Sequence, residues 1–181
     1  MKQPKIAKNL KTARGKLGFS LSKAAEETGV SKAMLGQVER GESSPTIATL
    51  WKIAKGFHIP LSTLIDEGNI NLEYSRQASE RPLKFENSIG FKILFPYDKA
   101  IGTEMYLMSL EPEESHVSIP HDVGVIEDIV VIKGNMEILL DGVWTKFKTG
   151  DAIRFKADVE HGYRNMTNEI VEFHNIIHYK N

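Results

Sequence analysis

His121 and Glu127 stand six positions apart in "IPHDVGVIEDIVVIKG", residues 119–134, just ahead of an apolar run and at a spacing that lets both side chains reach one cavity. An imidazole beside a carboxylate offers hard and borderline donors, the pairing that iron, manganese, nickel or zinc takes. Val123, two residues after His121, fills the slot where a full metal site would carry a second imidazole. The reading set first is therefore a polar pocket for an organic ligand, with a divalent metal as the alternative. The chain has no cysteine, so a disulfide framework and a thiolate zinc site are both excluded, and any metal must use His, Asp or Glu. Near the end of the chain, His174 and His178 alternate along "EFHNIIHY" and His174 is a further candidate for the cavity. His116 follows the acidic Glu111, Glu113 and Glu114 and receives no role.

Something must position these groups, and 181 residues with 41% hydrophobic content allow two small domains with buried cores. Charge divides the chain. Residues 1–67 carry 11 Lys and Arg against 6 Asp and Glu, whereas residues 68–181 carry 12 against 18. A surplus of five positive charges on the first third points that part toward a polyanion. The opening "MKQPKIAKNLKTARGKLG" is basic and helical in pattern, without the apolar core of a secretory signal, and no apolar run reaches membrane-spanning length. A cytoplasmic address without membrane contact is expected.

The first third reads as five short helices. Ile6, Leu10, Ala13 and Leu17 recur at helical spacing; Ser20 can cap a second helix from Leu21 to about Thr28, and Gly29 supplies a turn. Ser31 caps a third helix that buries Leu35 and Val38 and closes at Gly41. Pro45 and Thr46 start a fourth with Ile47, Leu50, Trp51 and Ala54 on one stripe, and Pro60 introduces a fifth. Helices two and three form a helix-turn-helix. Residues 68–82 are polar and aperiodic and read as a linker. Beyond them the period becomes strand-like over 91–95, 103–110, 129–132, 136–140, 143–147, 152–155 and 170–179, with Asp141-Gly142 as a hairpin turn, which implies a sandwich or barrel.

The run "LSKAAEETGVSKAMLGQVERGESSPTIATLWKIAKGFHIPLSTLI" resembles the phage-repressor-like (XRE) helix-turn-helix family over about residues 6–66. With Leu35 and Val38 turned inward, Lys32, Ala33, Gly36 and Gln37 are expected on the outer face of helix three, beside the capping Ser31, where a recognition helix meets the major groove. Gln37 suits an adenine edge, Lys32 a guanine or phosphate, and Ala33 a thymine methyl. Ser43 and Ser44 fall where the family contacts phosphates, which completes the expected DNA-binding set. Leu21 departs from the family, which often has Gln there to hold the DNA backbone.

The last hundred residues resemble the cupin family. Its first motif falls on His121, Val123, Glu127 and Gly134, and its second on Gly150, Lys156, Asp158, His161 and Asn165, with three substitutions at kept spacing. The resemblance implies an effector pocket lined by His121, Val123, Glu127, His161 and His174. It also keeps open a two-His, one-carboxylate metal set of His121, Glu127 and His161. The expected architecture is thus α + β in two domains: a five-helix bundle over 1–67, a linker, and an all-β jelly-roll barrel over 83–181 that senses an effector and dimerises. Together the motifs resemble enterobacterial helix-turn-helix cupin regulators of sulfur utilisation. That likeness implies a non-enzymatic transcriptional regulator, a homodimer on a near-palindromic duplex operator, with a small-molecule effector and sulfur-utilisation genes as targets. Two other classes stay open. One is a cupin-type mononuclear metal enzyme of the iron oxygenase or epoxidase class with an ancillary helical domain; the other is a helical interaction module with no DNA role.

Overall fold

The computed structural model describes residues 6–65 and 89–180, so the expected linker at 68–82 lies outside the described residues. Two compact units result, Met1–Asn69 and Ile70–Asn181.

In the first unit, α1 (Ile6–Lys16) buries Ile6, Leu10 and Ala13, as their spacing requires. Leu17, grouped with them in the sequence, lies past the helix end and is exposed. Three hydroxyls start the next three helices by accepting an otherwise orphaned backbone N–H. Ser20 accepts from Lys23 ahead of α2 (Leu21–Thr28) at 3.1 Å, Ser31 from Met34 ahead of α3 (Lys32–Glu39) at 3.2 Å, and Thr46 from Thr49 ahead of α4 (Ile47–Gly56) at 3.1 Å. Gly29 ends α2 in the left-handed region at φ 64°, a conformation that turns the chain tightly into α3. α5 (Ser62–Ile65) completes the bundle. Where α4 crosses α2, Gly56 lies so close that an added Cβ would sit 2.4 Å from the Glu27 carbonyl oxygen. Among the described residues no helix is long and apolar enough to cross a membrane.

The second unit is two antiparallel sheets. One orders β1 (Gly90–Asp98), β2 (Thr103–Leu110), β9 (Val171–His178), β4 (Ile126–Lys133) and β7 (Ala152–Lys156); the other orders β3 (Ser115–Ser118), β8 (His161–Arg164), β5 (Asn135–Leu140) and β6 (Val143–Lys148). β2 alternates half-buried and buried residues without a break, so Glu104, Tyr106, Met108 and Leu110 share the inner face. On β9 the inner residues are Val171, Phe173, Asn175 and Ile177. The rings of Tyr163 on β8 and Phe173 on β9 lie 5.1 Å apart, which sets the inner faces of the two sheets against each other. Five helices followed by this all-β sandwich are the two-part architecture that the sequence implied. Two strands escaped it, β3 and β8; each has only four residues and a polar sequence, "SHVS" and "HGYR".

Candidate functional site

α3 carries the first candidate surface. Its cap Ser31 and the residues Lys32, Ala33 and Gln37 are exposed, and Ser44 is exposed just beyond the helix. Ser43 is half-buried, with its hydroxyl 3.7 Å from the Met34 sulfur. Gly36 departs from the expectation: it is buried, not on the outer face. A Cβ there would lie 3.1 Å from Arg40 Nη1 and 3.8 Å from Leu21 Cδ1, so the position faces the side of α3 that Leu21 of α2 covers. A clamp fixes the far end of the same helix. Arg14 of α1 donates from Nε to Glu39 Oε1 at 2.6 Å, from Nη2 to Oε2 at 2.8 Å, and from Nη1 to the Phe19 carbonyl at 2.7 Å. Hydrogen bonding to Glu39 raises the Arg14 pKa against the opposing effect of burial. The fork therefore ties α1 to the end of α3 while the opposite end stays open.

The second candidate site lies inside the barrel, on Glu127. This carboxylate projects inward from β4 and is 1% exposed. His121 Nε2 donates to its Oε1 at 2.7 Å, and Asn175 Nδ2 donates to its Oε2 at 2.9 Å. The Tyr163 hydroxyl also donates to Oε2. His161 Nε2 is 3.4 Å from Oε1, within ion-pair range, yet no hydrogen-bond partner is aligned with it among the described residues. The other nitrogen of that ring, Nδ1, meets the Val159 carbonyl at 2.9 Å, an acceptor that holds a proton on Nδ1. Burial opposes a charged ring, but the adjacent Glu127 raises the His161 pKa, and in the neutral form the Nε2 lone pair faces the cluster. Burial alone would raise the Glu127 pKa; the hydrogen bond from His121 and the closeness of both imidazoles outweigh it and hold the group below the usual carboxylate range. Burial and the Glu127 charge push Tyr163 well upward, so the phenol stays a neutral donor.

A divalent metal fits these residues. Donor atoms about 2.1 Å from a common ion lie roughly 3.0–3.4 Å apart. His161 Nε2 stands 3.4 Å from Glu127 Oε1, at that separation; His121 Nε2, at 2.7 Å, is at hydrogen-bond distance and would draw back by a few tenths of an ångström; and all three groups offer ligand atoms within 4.8 Å of one another. The unpartnered Nε2 of His161 is the lone pair such an ion needs. On binding, the proton that His121 Nε2 donates to Glu127 would move to the other ring nitrogen or to solvent, and the ion would supply Lewis acidity and open coordination positions. His121, Glu127 and His161 would hold it.

Known proteins share this combination. A helix-turn-helix family profile matches residues 10–64, and a cupin domain profile matches residues 106–177. The HTH-type transcriptional regulator SutR of Escherichia coli (strain K12) is 44% identical over 96% of this chain and 94% of its own. The chain belongs to the helix-turn-helix transcriptional regulators that carry a cupin domain. In the same family, the crystal structure of an HTH_3 family transcriptional regulator from Vibrio cholerae superimposes with a TM-score of 0.83 at 42% identity, over 98% of this chain and 96% of that one. The crystal structure of iron(II) HppE covers 96% of this chain and 97% of its own at a TM-score of 0.50 and 16% identity, a likeness that shows the fold alone.

Within this helix-turn-helix cupin regulator, the expected pocket residues divide. His121, Glu127 and His161 come together as the motif spacing implied. Val123 does not join them: it is 89% exposed, on a turn closed by the Val125 amide on the Asp122 carbonyl, so its side chain faces solvent. His174 does not join them either. It pairs with Leu107 and Val130 on the outer face of the five-stranded sheet, opposite to the face that Phe173 and Asn175 share. Burial lowers its pKa. Three residues the sequence reading left out are present instead. Tyr163 and Asn175 bind Glu127, and His116, cross-strand from Tyr163, shares the face of that ring. Its pKa is lowered by burial and by the nearby His161, against the pull of Glu127.

Proposed function

We propose that this regulator reads a specific duplex sequence through Ser31, Lys32, Ala33 and Gln37, with Ser43 and Ser44 on phosphates, and that its barrel senses a small molecule at the Glu127 cluster. Residues 1–67 then form the DNA-binding part and residues 83–181 the sensing and dimerising part. What carries the reading is the state of α3 in a chain of this family: one side is packed and clamped by Arg14–Glu39, while Lys32, Ala33 and Gln37 project unpacked from the other. One such helix covers a half-site, and that supports a twofold dimer on a near-palindromic operator. Control of sulfur-utilisation genes is the target that the resemblance of its motifs implies. An effector alters operator occupancy only if it binds one arrangement of the dimer more tightly than another. A cytoplasmic location accords with this role.

The test uses the full chain and random duplex DNA. Phosphate contacts made by the basic helical part require affinity to fall steeply as salt is added, with a slope that shrinks when Lys32 is replaced by Ala. Binding that is absent at low salt overturns the reading.

A second reading, a cupin-type metal enzyme with an ancillary helical domain, is favoured by one observation, the three donors gathered at Glu127. Turnover of an organic substrate by the metal-loaded chain, lost on His161→Ala, would establish it.

A further inference from the structure

The two oxygens of Glu127 are treated differently. Oε2 accepts from the Tyr163 hydroxyl and from Asn175 Nδ2, whereas Oε1 faces the imidazole nitrogens of His121 and His161. Tyr163 projects from β8 and Asn175 from β9, so the carboxylate is held from both sheets at once. Each of the two would serve a buried carboxylate merely by satisfying it. Together they do more, because donors on Oε2 alone leave Oε1 as the oxygen directed at the histidines.

We propose that Tyr163 and Asn175 are positioning residues for a divalent cation: they hold Glu127 so that only Oε1 is offered to an ion shared with His121 Nε2 and His161 Nε2. The inference rests on the reading of this cluster as the place where the barrel takes its effector, and it assigns that place a metal. The Val159 carbonyl plays the matching part for His161, through Nδ1. Asn175 has a further use. Its Oδ1 is buried and has no hydrogen-bond partner among the described residues, so it is an acceptor available to an O–H or N–H group that arrives with the cation. Val123 explains why the site is assembled this way. With valine at that position the first motif supplies one imidazole instead of two, and the orientation of the single carboxylate carries more of the site's geometry.

The probe is Co(II) alone, titrated into the metal-free full chain and followed by its visible absorption. The unaltered chain should take up one ion, and His161→Ala should not. Tyr163→Phe and Asn175→Ser, made separately so that the misfolding of one does not decide the matter, should each weaken binding about 10–100-fold. Each should also change the absorption bands, because a freed carboxylate can turn both oxygens to the ion. Tyr179→Phe removes a hydroxyl from another buried carboxylate, Glu104, and should change neither. Variants with unaltered affinity and spectrum overturn the positioning role. No uptake by the unaltered chain, or equal uptake by His161→Ala, overturns the site as a metal site. Failure of the effector reading shows separately, as affinity for duplex DNA that ignores Co(II) in a chain that binds it.

Discussion

Replacing Arg14 by Ala removes three hydrogen bonds, two of them to Glu39, and strands a carboxylate that is 8% exposed. Uncompensated charges in full burial cost about 3–5 kcal/mol. Arg14 is 18% exposed, so water can reach one side of the gap, and the expected loss is about 2–3 kcal/mol. Glu39→Ala should cost a similar amount. The double variant should cost less than the sum, with a coupling of about 1–2 kcal/mol, because neither partner is then left alone. Arg14→Lys keeps the charge but loses the two-pronged geometry and should recover less than half of the loss. The chain has two tryptophans, and Trp51 lies on α4 of the helical unit. Urea unfolding followed by fluorescence in a Trp144→Phe background therefore reports on that unit alone. A coupling below about 0.5 kcal/mol would refute the reasoning that this pair fixes α3.

Gly56→Ala places a Cβ 2.4 Å from the Glu27 oxygen and 2.7 Å from Thr28 Cα, both backbone atoms that yield only if α2 and α4 separate. It should destabilise the helical unit by about 1–3 kcal/mol in urea even though Ala is the better helix former. Gly36→Ala meets only the tip of the flexible Arg40 and should be neutral within about 1 kcal/mol by the same measurement. In the barrel, hydrogen bonds from Arg154 and His178 lower the Asp128 pKa against burial. A depressed carboxylate stabilises the fold above its unfolded value of about 3.9, and that contribution is lost as pH falls through the folded value. The stability difference between the unaltered chain and Asp128→Asn should thus be full at about pH 6 and shrink progressively as pH falls below about 3.9, as denaturant midpoints across that range will show.

Short-range chemistry was legible in the sequence. Ser20, Ser31 and Thr46 act within three residues of their own positions, and each caps the helix it was expected to start or stand beside. The run of β-forming and apolar residues in "TEMYLMSL" placed β2 at 103–110 with no error, although the alternation of its faces appears only in the structure. Pairing between distant short segments was not legible: β3 and β8 hold each other through four residue pairs that no local period announces. The site shows the same division. Motif spacing brought His121, Glu127 and His161 together, but spacing does not say which way a side chain points on a turn, and Val123 points out. For β9 the signal was present and misread. His174 and His178 do alternate, but the apolar residues Val171, Phe173 and Ile177 decide the inner face, and their parity carries Asn175 inward and both histidines outward. Gly36 fell to a similar slip, one position from Leu35 on a helix buried along two neighbouring sides.

The most direct measurement is selection of random duplexes by the full chain, followed by affinities of the unaltered chain and Gln37→Ala for the enriched sequence. A near-palindromic site with half-sites about one helical turn apart, or a multiple of that, is expected. The variant should lose about 1–3 kcal/mol together with its preference at one base pair of each half-site. No enrichment, or an enriched site read equally well without Gln37, would contradict the assignment of α3 as the element that reads DNA.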